Sequence, residues 1–278
     1  MRILIIGAQG TLNYGTSMLT ANLITYLEKQ VTVDEWLVDV RDVKQFTYLT
    51  QIRSTNIIRG PEYYKNNEPR FKKALNFLRS NKQLEGRSID AAIFLSGDSI
   101  SETYGTRNLL YYLIIIQNLR KANIPVFFAS QTMGPFFGWR KLLARKLISD
   151  SPVYTRDPLN TAYLKDEIFL PSVYQSSDLA FLDLVHQTDP SSLSILSEFS
   201  LRNSEYVTVV PSGLSKHYCE DQSVYVDAWS KIVDRLCKKI CGAKKIVIMP
   251  HVQESGSSDT QIINKILNRL PNSTSALT

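Results

Sequence analysis

At 278 residues the chain is long enough for one large domain or two of ordinary size, and 44% hydrophobic with 21% charged residues predicts a normal globular core. The formal charge of +6 and a pI near 9.1 suit anionic ligands such as phosphates or acidic sugars, although solubility alone accounts for them as well. Basic runs interleaved with aromatics, collagen-like or low-complexity bias and internal repeats are all missing, so nucleic acid is not expected as a partner.

Short apolar strands alternate with longer helical patterns, the signature of an α/β fold with a parallel sheet flanked by helices. A first strand is predicted over 2–6, a glycine-rich turn over 7–15, and a helix over 18–29 with Leu19, Leu23 and Leu27 on one face. A strand over 31–40 follows. The polar, basic stretch 45–87 predicts one helix near 71–79 within long loops. Regular pattern returns with a strand over 90–95, a helix over 108–121, a strand over 125–130 and a basic helix over 139–148. A strand over 153–156 and a helix over 159–164 follow, and 177–181 closes this half. Residues 186–204, rich in Ser, Asp and Pro, read as a linker. Beyond it come a strand over 206–211, a helix over 224–240, a strand over 244–249, a helix over 260–270 and a polar tail. The expected division is a first domain over 1–185, a linker over 186–204 and a second domain over 205–278. Two strand–helix units are too few for a covered open sheet, so the second domain is expected to be incomplete.

The N-terminus lacks a signal-peptide pattern, and no apolar run is long enough to span a bilayer. Cys219, Cys237 and Cys241 make no disulfide framework. Cys237 and Cys241, four apart on a predicted helix, are too few to hold zinc, so no metal is expected. Reduced cysteines fit a cytoplasmic location.

Four segments carry candidate chemistry. The first turn, Gly7-Ala8-Gln9-Gly10-Thr11-Leu12-Asn13-Tyr14-Gly15-Thr16, lies between a strand and a helix, where backbone N–H groups and the helix dipole favour an anion. Its spacing is not the dinucleotide G-x-G-x-x-G, and a purely structural tight turn is the alternative. Gln131-Thr132-Met133-Gly134-Pro135-Phe136 follows a strand, at the edge where open α/β sheets bind ligands. Arg156-Asp157 also closes a strand; its guanidinium matches a carboxylate or phosphate, or the pair caps the next helix. Pro250-His251 closes another, where the histidine is either structural or faces a cleft.

Taken in order, Asn13/Gly15, Gly97/Asp98, Gln131/Gly134/Pro135/Phe136, Arg156/Asp157, Asp178/Phe181 and Pro250/His251/Asp259 resemble the polysaccharide pyruvyl transferases. The resemblance spans nearly the whole chain. It implies two Rossmann-like domains facing across a cleft, similar to a GT-B glycosyltransferase. It further implies phosphoenolpyruvate as donor, a sugar or lipid-linked oligosaccharide as acceptor, and no cofactor. Arg156 would bind the donor's carboxylate or phosphate. Gly10, Asn13, Gly15, Asp98, Gln131 and Gly134 would complete the substrate-binding set, and His251 would stand in as the catalytic residue. Three departures are plain: Thr16 replaces the family's Asp, Ser96-Gly97-Asp98 replaces a triple glycine, and the family's later Arg-x-His is not in the chain. The resemblance implies an enzyme if the full-length protein carries that motif, and otherwise a relative that binds an anion without turnover.

Two other classes compete. Gly97-Asp98-Ser99 with Asp183-Leu184-Val185-His186 resembles a Gly-Asp-Ser hydrolase, but the serine falls too late in the chain and His186 in the predicted linker. A nucleotide-sugar glycosyltransferase would share the architecture. The basic helix over 139–148 is either an ordinary solvated face or a peripheral contact with the inner face of the membrane.

Overall fold

A computed structural model describes residues 1–8, 13–39, 57–59, 72, 74, 89–95, 97–183, 194, 196–202, 205–213, 219–239, 245–253, 259–270 and 276–277. The chain divides into two compact units. One comprises Met1–Thr11 with Thr16–Val185, the other Leu12–Gly15 with His186–Thr278.

The first unit is built on a parallel sheet in the order β3-β2-β1-β4-β5-β6-β7. The strands are β1 (Arg2–Ile6), β2 (Glu35–Val38), β3 (Ile57–Arg59), β4 (Ala91–Phe94), β5 (Val126–Gln131), β6 (Val153–Thr155) and β7 (Val173–Gln175). Parallel strands bury both faces, so β1 is apolar throughout after Arg2 and buried at every position. On one face α1 (Tyr14–Glu28) packs Leu19, Leu23 and Ile24 against Ile3, Ile5, Trp36, Val38 and Ile93. On the other, α2 (Thr106–Lys121) and α3 (Trp139–Ile148) cover Leu4, Ile6, Phe94, Phe128 and Val153. Phe94 and Phe128 stack across neighbouring strands with ring centroids 5.1 Å apart. The connections change face between β1 and β4, the point where ligands enter doubly wound sheets.

The second unit has three parallel strands, β8 (Tyr206–Val209), β9 (Lys245–Ile248) and β10 (Ala276–Leu277), in the order β10-β9-β8. Two helices, α5 (Gln222–Lys239) and α6 (Asp259–Leu267), lie between them in the chain. Val226, Val233, Ile262, Ile263 and Ile266 pack with Val209, Ile246 and Ile248 into a separate core.

Helix α1 begins four residues before the sequence pattern places it, and the predicted 31–40 strand shortens to Glu35–Val38. Strands β3 and β7 were not expected, and part of the predicted polar tail forms β10. The helix expected near 71–79 lies mostly outside the described residues, although Lys72 and Ala74 are helical.

After β5 the chain makes a sharp exit through Gly134-Pro135, a cis peptide, toward α3. The short helix α4 (Pro158–Ala162) and the π-helical turn Tyr163–Glu167 pack beneath it. Asn160 clasps the main chain of Met133, accepting from its N–H at 2.9 Å and donating to its carbonyl at 2.7 Å. The Tyr163 hydroxyl accepts from the Phe136 N–H at 2.9 Å. Gly134 has φ +85°, and a Cβ there would lie 2.6 Å from Tyr163 Cε1. Gly134→Ala is therefore expected to destabilise the protein by about 2–4 kcal/mol, from left-handed strain plus overpacking. A thermal melt checks this; an unchanged midpoint would show that the tyrosine ring yields freely.

Candidate functional site

In the first unit the ends of β4 to β7 are joined through Thr132, one residue past β5. Its N–H donates to the Gly97 carbonyl at 2.7 Å, just after β4. Its hydroxyl donates to Asp157 Oδ2 at 3.0 Å and accepts from Arg156 Nε at 2.9 Å, just after β6. Arg156 Nη1 then pairs with Asp178 Oδ2 at 3.2 Å, beyond β7. The guanidinium side chain is 27% exposed and Asp178 22%, so the pair is partly open to solvent. Among the described residues no partner engages Arg156 Nη2.

Asp178 is fixed in turn. Its Oδ1 accepts from the Ala180 N–H at 3.0 Å and the Ser130 hydroxyl at 3.2 Å. Ser130 has φ +54° where the β5–β6 register shifts, a bulge that re-aims a side chain at the sheet edge. Asp157 caps α4, accepting from the Asn160 N–H at 2.7 Å, so the capping alternative holds for the aspartate. The arginine beside it pairs with Asp178, not with Asp157.

The remaining expected residues fall in different surroundings. Gln131 is wholly buried, and its amide donates to the carbonyls of Phe94 at 3.2 Å and Ala129 at 2.9 Å. Asp98 accepts from the Tyr104 hydroxyl at 2.7 Å in the turn after β4. Gly134 is wedged against Tyr163, whose phenol is pushed above its ordinary value by burial, with Glu167 adding to the rise against the lowering Phe136 hydrogen bond. Gly10 and Ser96 lie outside the described residues, as does His186 of the hydrolase reading. Beside this cluster a depression of about 590 Å³ is floored by Ile93, Phe127 and Ala129 and reaches Ser130 and Asp178. Its lining is too apolar to suit a small dianion, which the Arg156 edge suits better.

A second cluster forms within the other unit. Asn13 Oδ1 accepts from the Gly15 N–H at 3.0 Å, turning the chain into α1, and Asn13 bridges Val252. The Tyr14 N–H donates to the His251 carbonyl at 3.1 Å. A Cβ on Gly15 would stand 3.1 Å from His251 Cε1 and 3.2 Å from its Nε2, so the missing side chain makes room for the imidazole. The turn bearing His251 hangs on Asp259, which is 1% exposed at the start of α6. Its Oδ2 accepts from the N–H groups of His251 at 2.8 Å and Val252 at 2.7 Å, and its Oδ1 from Gly213. The sequence brought Asn13, Gly15 and His251 forward separately; their proximity was legible only through the family order.

The model for polysaccharide pyruvyl transferases matches residues 13–276. The chain belongs to that family. No curated protein sequence matches it significantly. Among solved structures, the UDP-GlcNAc 2-epimerase of Neisseria meningitidis, bound to UDP-GlcNAc, is similar at a TM-score of 0.64 and 13% identity, covering 100% of this chain and 72% of that one. A UDP-N-acetylglucosamine 2-epimerase is similar at 0.60 and 11%, covering 99% and 67%. The S. aureus MnaA–UDP structure is similar at 0.57 and 11%, with the same coverage. At such identities the likeness is one of fold, and it gives this pyruvyl transferase relative a GT-B-like α/β architecture. Among the described residues no helix is long and apolar enough to cross a membrane, and no three His, Cys, Asp or Glu gather as a metal site.

Two substitutions probe the second cluster. Asp259→Ala leaves three part-buried amide hydrogen bonds unmade and should lower stability by about 2–4 kcal/mol in urea unfolding, with Asp259→Asn losing less. Gly15→Ala should leave stability within about 0.5 kcal/mol, because the crowded imidazole is exposed and can move. The His251 ring resonances in an NMR spectrum should nevertheless shift; an unaltered ring signal would mean that the contact is loose.

Proposed function

We propose that the protein transfers the pyruvyl group of phosphoenolpyruvate to a sugar hydroxyl of a polysaccharide or its lipid-linked precursor. The family match over residues 13–276 is the observation that carries this reading. The geometry around Arg156 supports it. A small donor bearing a carboxylate and a phosphate needs a planar cation held in one orientation, and Thr132 and Asp178 hold this one by Nε and Nη1. Gly97 and Asp98 shape the adjoining turn, while Gln131 stiffens the strand ends from beneath and Gly134 sets the exit of the chain. Asn13 and Gly15 set the turn against which His251 rests.

The chemistry asks for little beyond positioning and one mobile proton. An acid delivers a proton to the methylene carbon of the enol while a sugar hydroxyl adds to the neighbouring carbon and loses its own proton. A second hydroxyl then displaces phosphate, which leaves with the other proton, giving a cyclic ketal with a methyl group. His251 is the side chain we assign to proton transfer, since its ring nitrogens can both donate and accept a hydrogen bond to a reacting group. The polar shell around Arg156 supplies the charge that holds donor and departing phosphate.

Calorimetric titration with phosphoenolpyruvate tests the donor site. Arg156→Ala should weaken binding about 10- to 100-fold, the loss of charge-assisted hydrogen bonds of about 1.5–3 kcal/mol, with Arg156→Lys between. Equal affinity in a variant that melts like the parent would end the assignment, as would tighter binding of UDP-GlcNAc than of phosphoenolpyruvate. With an acceptor present, His251→Ala should abolish phosphate release while donor affinity stays the same. Undiminished release would remove the histidine from the mechanism.

A further inference from the structure

Helix α3 is apolar on two faces. Ala144, Leu147 and Ile148 are buried in the core, as the inward stripe of a surface helix should be. Yet the outward face carries Trp139 and Leu142, 59% and 67% exposed, with Phe137 just ahead of it at 55%. Phe169 stands beside the same face, 59% exposed and at φ +59°, a backbone conformation that a bulky residue rarely adopts. Single exposed apolar residues are ordinary, but four large ones on one surface mark a place where something docks.

The charge around them indicates what. Arg140, Lys141, Arg145 and Lys146 interleave with the apolar residues, and α3 itself contains no acid. Arg145 stacks over the Phe169 ring at 5.4 Å and Arg140 over Trp139 at 5.6 Å. Among the described residues only Arg140 of these is neutralised, by the nearly buried Glu102 at 2.8 Å. Asp166 and Glu167 precede Phe169 in the chain and offset part of the remaining charge. Leu142, Arg145, Lys146 and Phe169 share one shallow depression of about 430 Å³, not a groove that would hold a peptide helix.

We infer that this face docks on an anionic lipid bilayer. Trp139, Leu142, Phe137 and Phe169 enter the boundary between headgroups and acyl chains. Lys141, Arg145 and Lys146 reach sideways to the acidic headgroups, their stems lying along the apolar residues. No part of the inference depends on which donor Arg156 binds.

The test is co-sedimentation of the full chain with vesicles of equal parts phosphatidylglycerol and phosphatidylcholine, beside vesicles of phosphatidylcholine alone. The protein should pellet with the first far more than with the second, and less as salt is raised. Arg145→Gln with Lys146→Gln should weaken binding about 25-fold, at about 1 kcal/mol and five-fold per charge. Leu142→Glu should weaken it at least as much. Tryptophan emission should shift to the blue on binding, and Trp139→Phe should remove that shift while the protein still pellets, because Trp36 is already wholly buried and Trp229 packs against the core of the other unit. These side chains are exposed, so circular dichroism melts should match the parent's. Failure to pellet, or pelleting that neither the glutamine pair nor Leu142→Glu reduces, would overturn the inference. So would a dimer in sedimentation velocity that Leu142→Glu dissolves, which would make the face a contact between copies.

Discussion

A parallel sheet presents its last peptide groups to solvent along one edge, and in the first unit a single residue, Thr132, links four of those strand ends directly or through Arg156. Thr132 donates its backbone N–H to the Gly97 carbonyl in the turn after β4, its hydroxyl donates to Asp157 and the same hydroxyl accepts from Arg156 Nε. Because the hydroxyl both donates and accepts, the charged side chains on either side of it cannot shift independently. Asp178 closes the arrangement from beyond β7, and Ser130, turned by the irregularity in β5, holds Asp178. The guanidinium's direction is thus a consequence of the sheet, not of a loop.

The second unit solves a similar problem with a carboxylate. The chain leaving β9 turns through Pro250-His251 with amides that have no strand to pair with. Asp259 accepts from two of them and from Gly213, and its place in the first turn of α6 lets the helix dipole favour its negative charge. A buried acceptor that draws three amides together costs much to remove, so it secures the main chain of a histidine whose own ring stays exposed.

Periodicity read the long elements well where burial is one-sided. Helix α3 has the predicted bounds because an amphipathic stretch begins at once after Gly138. It failed where three residues suffice for a strand: β7 buries only Val173, and its other two positions are exposed. It failed at the start of α1 for a different reason. Asn13 turns the chain through its own side chain, a hydrogen bond to Gly15 that no hydrophobic pattern announces. Among the residues proposed for the site, Arg156 and His251 stand out in the sequence because chemistry-bearing side chains at strand ends are few. Ser130 and Thr132 were not, since a hydroxyl at a strand end has no distinguishing pattern until its partners are known.

The ion pair between Arg156 and Asp178 looks at first like an obstacle to binding an anion. Its energetics point the other way. A partly exposed arginine–carboxylate pair is worth about 0–1 kcal/mol, because water competes for both partners. Exchanging one carboxylate for another at the guanidinium's open edge therefore costs little. The hydrogen bond from Nε to Thr132 remains on the far side, so orientation is kept through the exchange. Asp178 meanwhile retains its hydrogen bonds from Ser130 and Ala180. An arginine left alone at this edge would swing among rotamers and lose entropy on meeting its ligand, whereas this one has lost it on folding. In the proposed reading, the acid that reduces the local positive charge is thus also what makes the arginine ready for an anion.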